Sequence, residues 1–164
     1  MEKFDLGKGI IVEIPKHKVE LAKHWGGIRF ERGKKLRAKH GQSKKSHTLD
    51  IEIQSCGAEI TVAHFTGAKW REKGIDNGVD VPPDIQVRWT PLEKGKLIIH
   101  PPPGDRKDVR FVLVVGKMPY QRVAGWVSAG GGMIPKYWTN FGHADRPHCY
   151  GVPQSELNPI ERFM

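Results

Sequence analysis

Val109-Arg-Phe-Val-Leu-Val-Val115 is the most apolar run of the 164-residue chain, and Gly116 ends it. It is far shorter than the roughly 18 to 20 residues a membrane helix needs, so it reads as a strand buried within a sheet. Outward from it, the short Val- and Ile-rich segments keep to strand lengths. Arg122-Val-Ala-Gly-Trp-Val127 follows as a second strand, before a Gly130-Gly-Gly132 break and an aromatic tail punctuated by proline. Upstream, Lys96-Leu-Ile-Ile-His100 reads as a strand halted by Pro101-Pro-Pro103, and Ile85-Gln-Val-Arg-Trp-Thr90 as another. Side chains alternate along a strand, so Gln86 and Arg88 share one face while Val87 and Trp89 share the other. Trp89 and Trp126 are expected in the core.

Turn signals at Lys73-Gly74 and Asp76-Asn-Gly78, a short Val79-Asp80-Val81 and a tight Pro82-Pro83-Asp84 precede that strand. Leu49-Asp-Ile-Glu-Ile53 alternates, and a helical pattern runs from Ser55 to Phe65. Ser55 is its expected N-cap, Gly67 its stop, and Cys56, Ile60 and Ala63 its buried stripe. At the start, Gly9 to Ile14 reads as a strand closed by Pro15. A helix through Val19, Ala22 and Trp25 follows, with Gly26-Gly27 as its expected stop. The fold class is α+β, a strand-rich central sheet with few flanking helices.

Length fits one domain over residues 1–164, and 38% hydrophobic against 27% charged residues excludes a chain disordered throughout. The start Met1-Glu-Lys-Phe-Asp5 has no apolar leader, and Cys56 and Cys149 are too few for a disulfide framework, which predicts a reducing, cytoplasmic setting. Charge divides the chain. Residues 1–48 hold thirteen Lys/Arg against five Asp/Glu, whereas residues 49–164 are nearly balanced at fourteen against thirteen. The densest stretch, residues 29–45, carries Arg29, Arg32, Lys34, Lys35, Arg37, Lys39, Lys44 and Lys45 with one acid. It is expected to be a mobile basic loop on an N-terminal extension, suited to nucleic-acid phosphates through counterion release. No membrane partner is expected.

Glu59 on the helix, Asp80 by a turn and Gln86-x-Arg88 on a strand form a spaced polar set. A magnesium-dependent phosphodiesterase needs carboxylates to hold the ion and a basic side chain near the attacking water, and this set could supply them. Read as structure, Asp80 would instead satisfy backbone donors near the Pro-Pro turn. His143, His148 and Cys149 match no closed zinc spacing. Trp138 either stacks on an unpaired base or lids the sheet.

The run Cys56-Gly-Ala-Glu59 with Ile60-Thr-Val-Ala63, then Trp70, Val79-Asp80 and Ile85-Gln-Val-Arg88, resembles a group of small bacteriophage proteins. Leu97-Ile-Ile99, Phe111 to Gly116, Gly125-Trp-Val127 and Val152-Pro-Gln-Ser155 extend the likeness over roughly residues 50 to 160, outside the basic stretch. Those proteins look in turn like the PD-(D/E)xK, or restriction-endonuclease-like, nuclease superfamily. The resemblance implies a mixed sheet of about four strands with flanking helices as a nuclease-like core over residues 49–164. It also implies DNA cleavage with Mg2+ or Mn2+, in the host cytoplasm for a phage protein. On it, Glu59 matches the helical acid, Asp80 the hairpin acid, Gln86 the Glu position and Arg88 the Lys position, with Glu59 and Asp80 holding metal. Asp84 follows a proline but stands one residue from Gln86, so Asp80 is preferred. His100, where those phage proteins tend to place arginine, would touch phosphate or act as a base near neutrality.

Two positions depart from the motif. Gln86 brings no charge to a metal, and Arg88 cannot serve as a general base. The expectation is therefore a metal-dependent deoxyribonuclease, with a nucleic-acid-binding accessory protein carrying a degenerate pocket as the alternative. Exposed sheet edges would offer a homodimer its pairing surface.

Overall fold

The computed structural model describes residues 8–39, 47–72 and 78–163. Lys44 and Lys45, and the turn signals at 73–77, lie outside these residues, as does the Lys39 side chain. A four-stranded mixed sheet forms the centre. Its strands are β1 (Ile10–Glu13), β2 (Ile85–Thr90), β4 (Arg110–Val115) and β5 (Tyr120–Ser128), in the order β1-β5-β4-β2. Only β2 and β4 run parallel. β3 (Leu97–Ile99), β6 (Trp138–Thr139) and β7 (Cys149–Val152) make a second sheet in the order β3-β7-β6. The helices are α1 (Lys16–Lys39), α2 (Leu49–Thr66) and the single turn α3 (Ala129–Gly132). The chain is thus α+β, as its short apolar runs predict.

The period-two pattern of the strands decides which layer covers which face. Val112 and Val114 of β4 join Ile85 and Val87 against Cys56, Ile60 and Ala63 of α2, while Phe111, Leu113 and Val115 face Leu97, Ile99 and Val152 of the second sheet. The central sheet is therefore buried on both faces, helices on one and strands on the other. α2 is buried between the sheet and α1, with Cys56 through Ala63 all buried, including the polar Glu59 and Thr61. One polar tie fixes it: Thr61 Oγ1 donates to Gln121 Oε1 at 2.7 Å, and the Gln121 amide donates to the Gln54 carbonyl at 3.2 Å.

Three expectations are corrected here. Gly26-Gly27 does not stop α1, because Gly26 is a crossing point: a Cβ there would stand 2.6 Å from Ile53 Cα of α2. Gly27 meets nothing within 4 Å. Residues 29–39 are accordingly helix, not the first part of a loop. Leu49-Asp-Ile-Glu-Ile53 is the first turn of α2 rather than an alternating segment. Thr48 caps it, its hydroxyl accepting from Ile51 N–H at 3.2 Å, and Asp50 and Glu52 favour the positive end of the helix dipole. Gly67 ends α2 as expected, in the left-handed conformation at φ 75°. Nor is the basic N-terminal stretch an appendage, since β1 pairs with β5 and Ala22 of α1 is fully buried. Among the described residues, no helix is long and apolar enough to cross a membrane.

Candidate functional site

β2 is the last strand of the central sheet, so alternate N–H groups on it point away from the ladder and need partners. Ile85 N–H donates back to the Val81 carbonyl at 3.0 Å, and Val81 N–H to Ile85 at 3.1 Å, closing a tight hairpin over Pro82-Pro83. The next outward group, Val87 N–H, donates to Asp80 Oδ2 at 2.8 Å. With its amide nitrogen turned toward the carboxylate, Gln86 donates to the same oxygen at 2.7 Å. Asp80 is 8% exposed. The structure therefore brings Asp80 and Gln86 together, and it uses Asp80 to satisfy the edge of β2.

Glu59 points elsewhere, toward α1. Arg29 Nη1 donates to Glu59 Oε2 at 2.6 Å and Nη2 to Oε1 at 3.1 Å, a two-pronged pairing, while Arg29 Nε donates to Glu72 Oε2 at 3.1 Å. Trp70 Nε1 reaches Glu59 Oε1 at 3.4 Å. Burial works against the Arg29 charge, but the Glu59 hydrogen bond and the nearby carboxylates outweigh it and hold its pKa above the ordinary value. Burial also pushes the neighbouring Cys56 thiol up to about 12. Arg29 is thus turned inward onto two carboxylates and not presented to solvent with the exposed part of the basic set.

Arg88 joins the two sheets. Its guanidinium lies over the Phe111 ring at 5.1 Å, Nε donates to the Ile98 carbonyl at 3.0 Å, and Nη2 pairs with Asp105. Asp105 also accepts from the backbone N–H of His100 at 2.6 Å. His100 is exposed and is connected to Arg88 only through this aspartate. Trp138, 44% exposed, stacks on His148 at 5.5 Å and leans on Tyr150 at 4.8 Å. Trp89 and Trp126 lie half-buried against the helix-side core, as expected.

The spaced polar set therefore divides into Asp80 with Gln86, Glu59 with Arg29, and Arg88 with Asp105. A metal shared by Glu59 and Asp80 does not fit this arrangement. Both Glu59 oxygens already take hydrogen bonds from Arg29, and a dication there would stand against a buried guanidinium. Among the described residues, no three His, Cys, Asp or Glu side chains are grouped to hold an ion.

Other cations of the basic set on α1 are more open to solvent. Arg32, Lys34 and Lys35 are exposed and Arg37 is half-buried. Lys34 makes a long 3.9 Å pair with Glu31 and lies over the Phe30 ring at 5.2 Å, while Arg32, Lys35 and Arg37 make no ion pair among the described residues. Lys69 and Arg71 add to them. They lie beside a cleft of about 360 Å3 that also borders Glu72 and Asp80. Glu72 and Asp105, which bond to Arg29 and Arg88, and Lys69 and Arg71, which border the cleft, are residues of this region that the motif reading did not name. The signal for three of them is the alternation in Lys69-Trp-Arg-Glu72, basic residues outward and Trp70 and Glu72 inward.

No protein-family model, curated protein or solved structure matches this chain. What the chain does must therefore follow from the site's own chemistry.

Proposed function

We propose that this chain is a non-catalytic nucleic-acid-binding protein that grips phosphates with the outer face of α1 and has turned the polar residues of a nuclease-like pocket to structural use. The observation that carries the reading is the disposition of charge on α1. Arg29 is turned inward and spent on two carboxylates, while Arg32, Lys34 and Lys35 stand exposed with at most one weak ion pair. Exposed cations on one rigid helix release counterions when they meet a polyanion, which gives affinity without sequence preference. Asp80 capping β2 and Glu59 engaged by Arg29 support the non-catalytic half of the proposal. The chain order of helical acid, hairpin acid and Gln-x-Arg strand keeps the restriction-endonuclease-like likeness as an account of origin.

Fluorescence anisotropy with labelled DNA across a salt series tests this reading. The Lys34→Ala/Lys35→Ala variant should bind less tightly and lower the magnitude of the log-log salt slope by about 1.8 on duplex, near 0.9 for each phosphate no longer neutralised. Unchanged affinity and slope would refute it. Cleavage of the same DNA by the wild type with Mg2+ or Mn2+ would return the nuclease reading in its place.

A further inference from the structure

Residues 68–72 leave α2 after Gly67 without regular secondary structure and pass beside α1. Two contacts fix this course: Trp70 and Lys69 share a cleft with Leu21 and Lys18 of α1, and Glu72 is bonded to Arg29 further along the same helix. Exposure alternates along the segment: Trp70 and Glu72 are half-buried and bond to Glu59 and Arg29, whereas Lys69 and Arg71 are exposed. Neither Lys69 nor Arg71 makes an ion pair among the described residues.

Two clefts meet at Lys69. One, of about 250 Å3, is walled by Leu21, Ile60, Ala63 and Trp70, with His17 and Lys18 at its rim. The other, of about 360 Å3, lies between Arg71 and the Pro82 hairpin. The carboxylates beside it, Glu72 and Asp80, are bonded inward, to Arg29 and to Val87 and Gln86. The groove thus has a cationic line down its outer side and an apolar recess at one end.

Resting on the nucleic-acid reading above, we infer that this groove takes a single strand of nucleic acid. Lys69 and Arg71 track its phosphates, and an unpaired base covers the apolar recess. The preference follows from the two kinds of wall. A duplex keeps its bases stacked and paired and could offer the groove only phosphates, leaving Leu21 and Trp70 wet. A single strand can satisfy the cations and bury the apolar surface together.

The test compares a labelled single-stranded oligonucleotide with its duplex by anisotropy, using the full chain. Wild type should bind the single strand more tightly. Lys69→Ala/Arg71→Ala should weaken single-strand binding about tenfold or more and lower its salt slope by about 1.4, near 0.7 for each phosphate. Leu21→Asn should weaken the single strand more than the duplex at unchanged slope. Lys107→Ala, in the exposed turn beyond the second sheet, should change nothing. Tighter duplex binding by the wild type overturns the inference, as does an unchanged Lys69→Ala/Arg71→Ala variant. If that variant is unchanged while Lys34→Ala/Lys35→Ala binds weakly, the groove is wrong and the helix reading stands. If neither variant binds more weakly, both fail.

Discussion

Removing Arg29 would show whether it is a structural cation or part of the binding surface. Its side chain is 17% exposed, and the two carboxylates it serves, Glu59 and Glu72, are 9% and 7% exposed. Arg29→Ala leaves both acids buried without this partner. Breaking such a pair from one side costs about 3–5 kcal/mol, against about 0.5 kcal/mol for an exposed cation. A loss of about 4 kcal/mol is nearly a thousandfold in the folding constant, a large share of the roughly 5–15 kcal/mol a domain possesses. Urea unfolding followed by tryptophan fluorescence, with Arg32→Ala as the comparison, measures it. Arg32 is three residues along α1 and exposed, so its variant should stay within about 0.5 kcal/mol of wild type while losing DNA affinity. Arg29→Lys keeps the charge but cannot reproduce the fork, and should fall between wild type and Arg29→Ala, giving a value even if the alanine variant does not fold. A double-mutant cycle with Glu59→Gln should return a coupling above about 1 kcal/mol. Equal stability of Arg29→Ala and Arg32→Ala, or no coupling to Glu59, would refute the argument.

The paired glycines of α1 should respond in opposite directions to alanine. Gly26→Ala forces a methyl against the α2 backbone and should cost about 1–3 kcal/mol, whereas Gly27→Ala meets open space and should gain about 0.5–1 kcal/mol, both read from urea midpoints. At the edge of β2, Asp80→Ala should cost about 1–3 kcal/mol by orphaning Val87 N–H. Asp80→Asn should cost less, because the new amide can still accept from Val87 while Gln86 turns its carbonyl to it. Equal losses in thermal unfolding would show that the carboxylate charge, not the backbone bond, is what β2 needs. Cys56 gives a pH signature: its folded-state thiol is raised from 9.0 to about 12, so the folded protein keeps a proton that the unfolded chain releases. Its contribution is intact below pH 9 and is lost between 9 and 12, on the order of 1 kcal/mol by pH 10. Wild type should therefore lose that much more stability than Cys56→Ala between pH 8 and pH 10, measured by urea titration.

Much of the fold was legible in the sequence because strand periodicity and turn chemistry are local. Phe111 to Val115, Ile85 to Thr90 and Leu97 to Ile99 are strands in the structure, and Gly67 ends α2, each for reasons contained within a few residues. Tertiary contact decided the rest. Gly26 reads as a helix breaker until α2 lies against it, when the missing Cβ becomes the condition for the crossing. Leu49 to Ile53 alternates like a strand, yet Thr48 and the acids of the first turn make it the start of a helix that α1 covers. The polar set was visible as residue types, and the backbone donors near the turn were legible as partners for Asp80, but the partners of Glu59 and Arg88 were not. Arg29 lies thirty residues from Glu59 in the chain and Arg88 seventeen from Asp105, and a charge pattern along a chain does not record which cation the fold turns inward. The sequence by itself determined the α+β class, the basic N-terminal third and the identity of the polar residues. Asp80 finds its partners in its own hairpin, whereas only the packing of α1 on α2, and of the second sheet on the first, decided that Glu59 and Arg88 bond to Arg29 and Asp105, because burying a charge compels the fold to bring it a partner from wherever the chain supplies one.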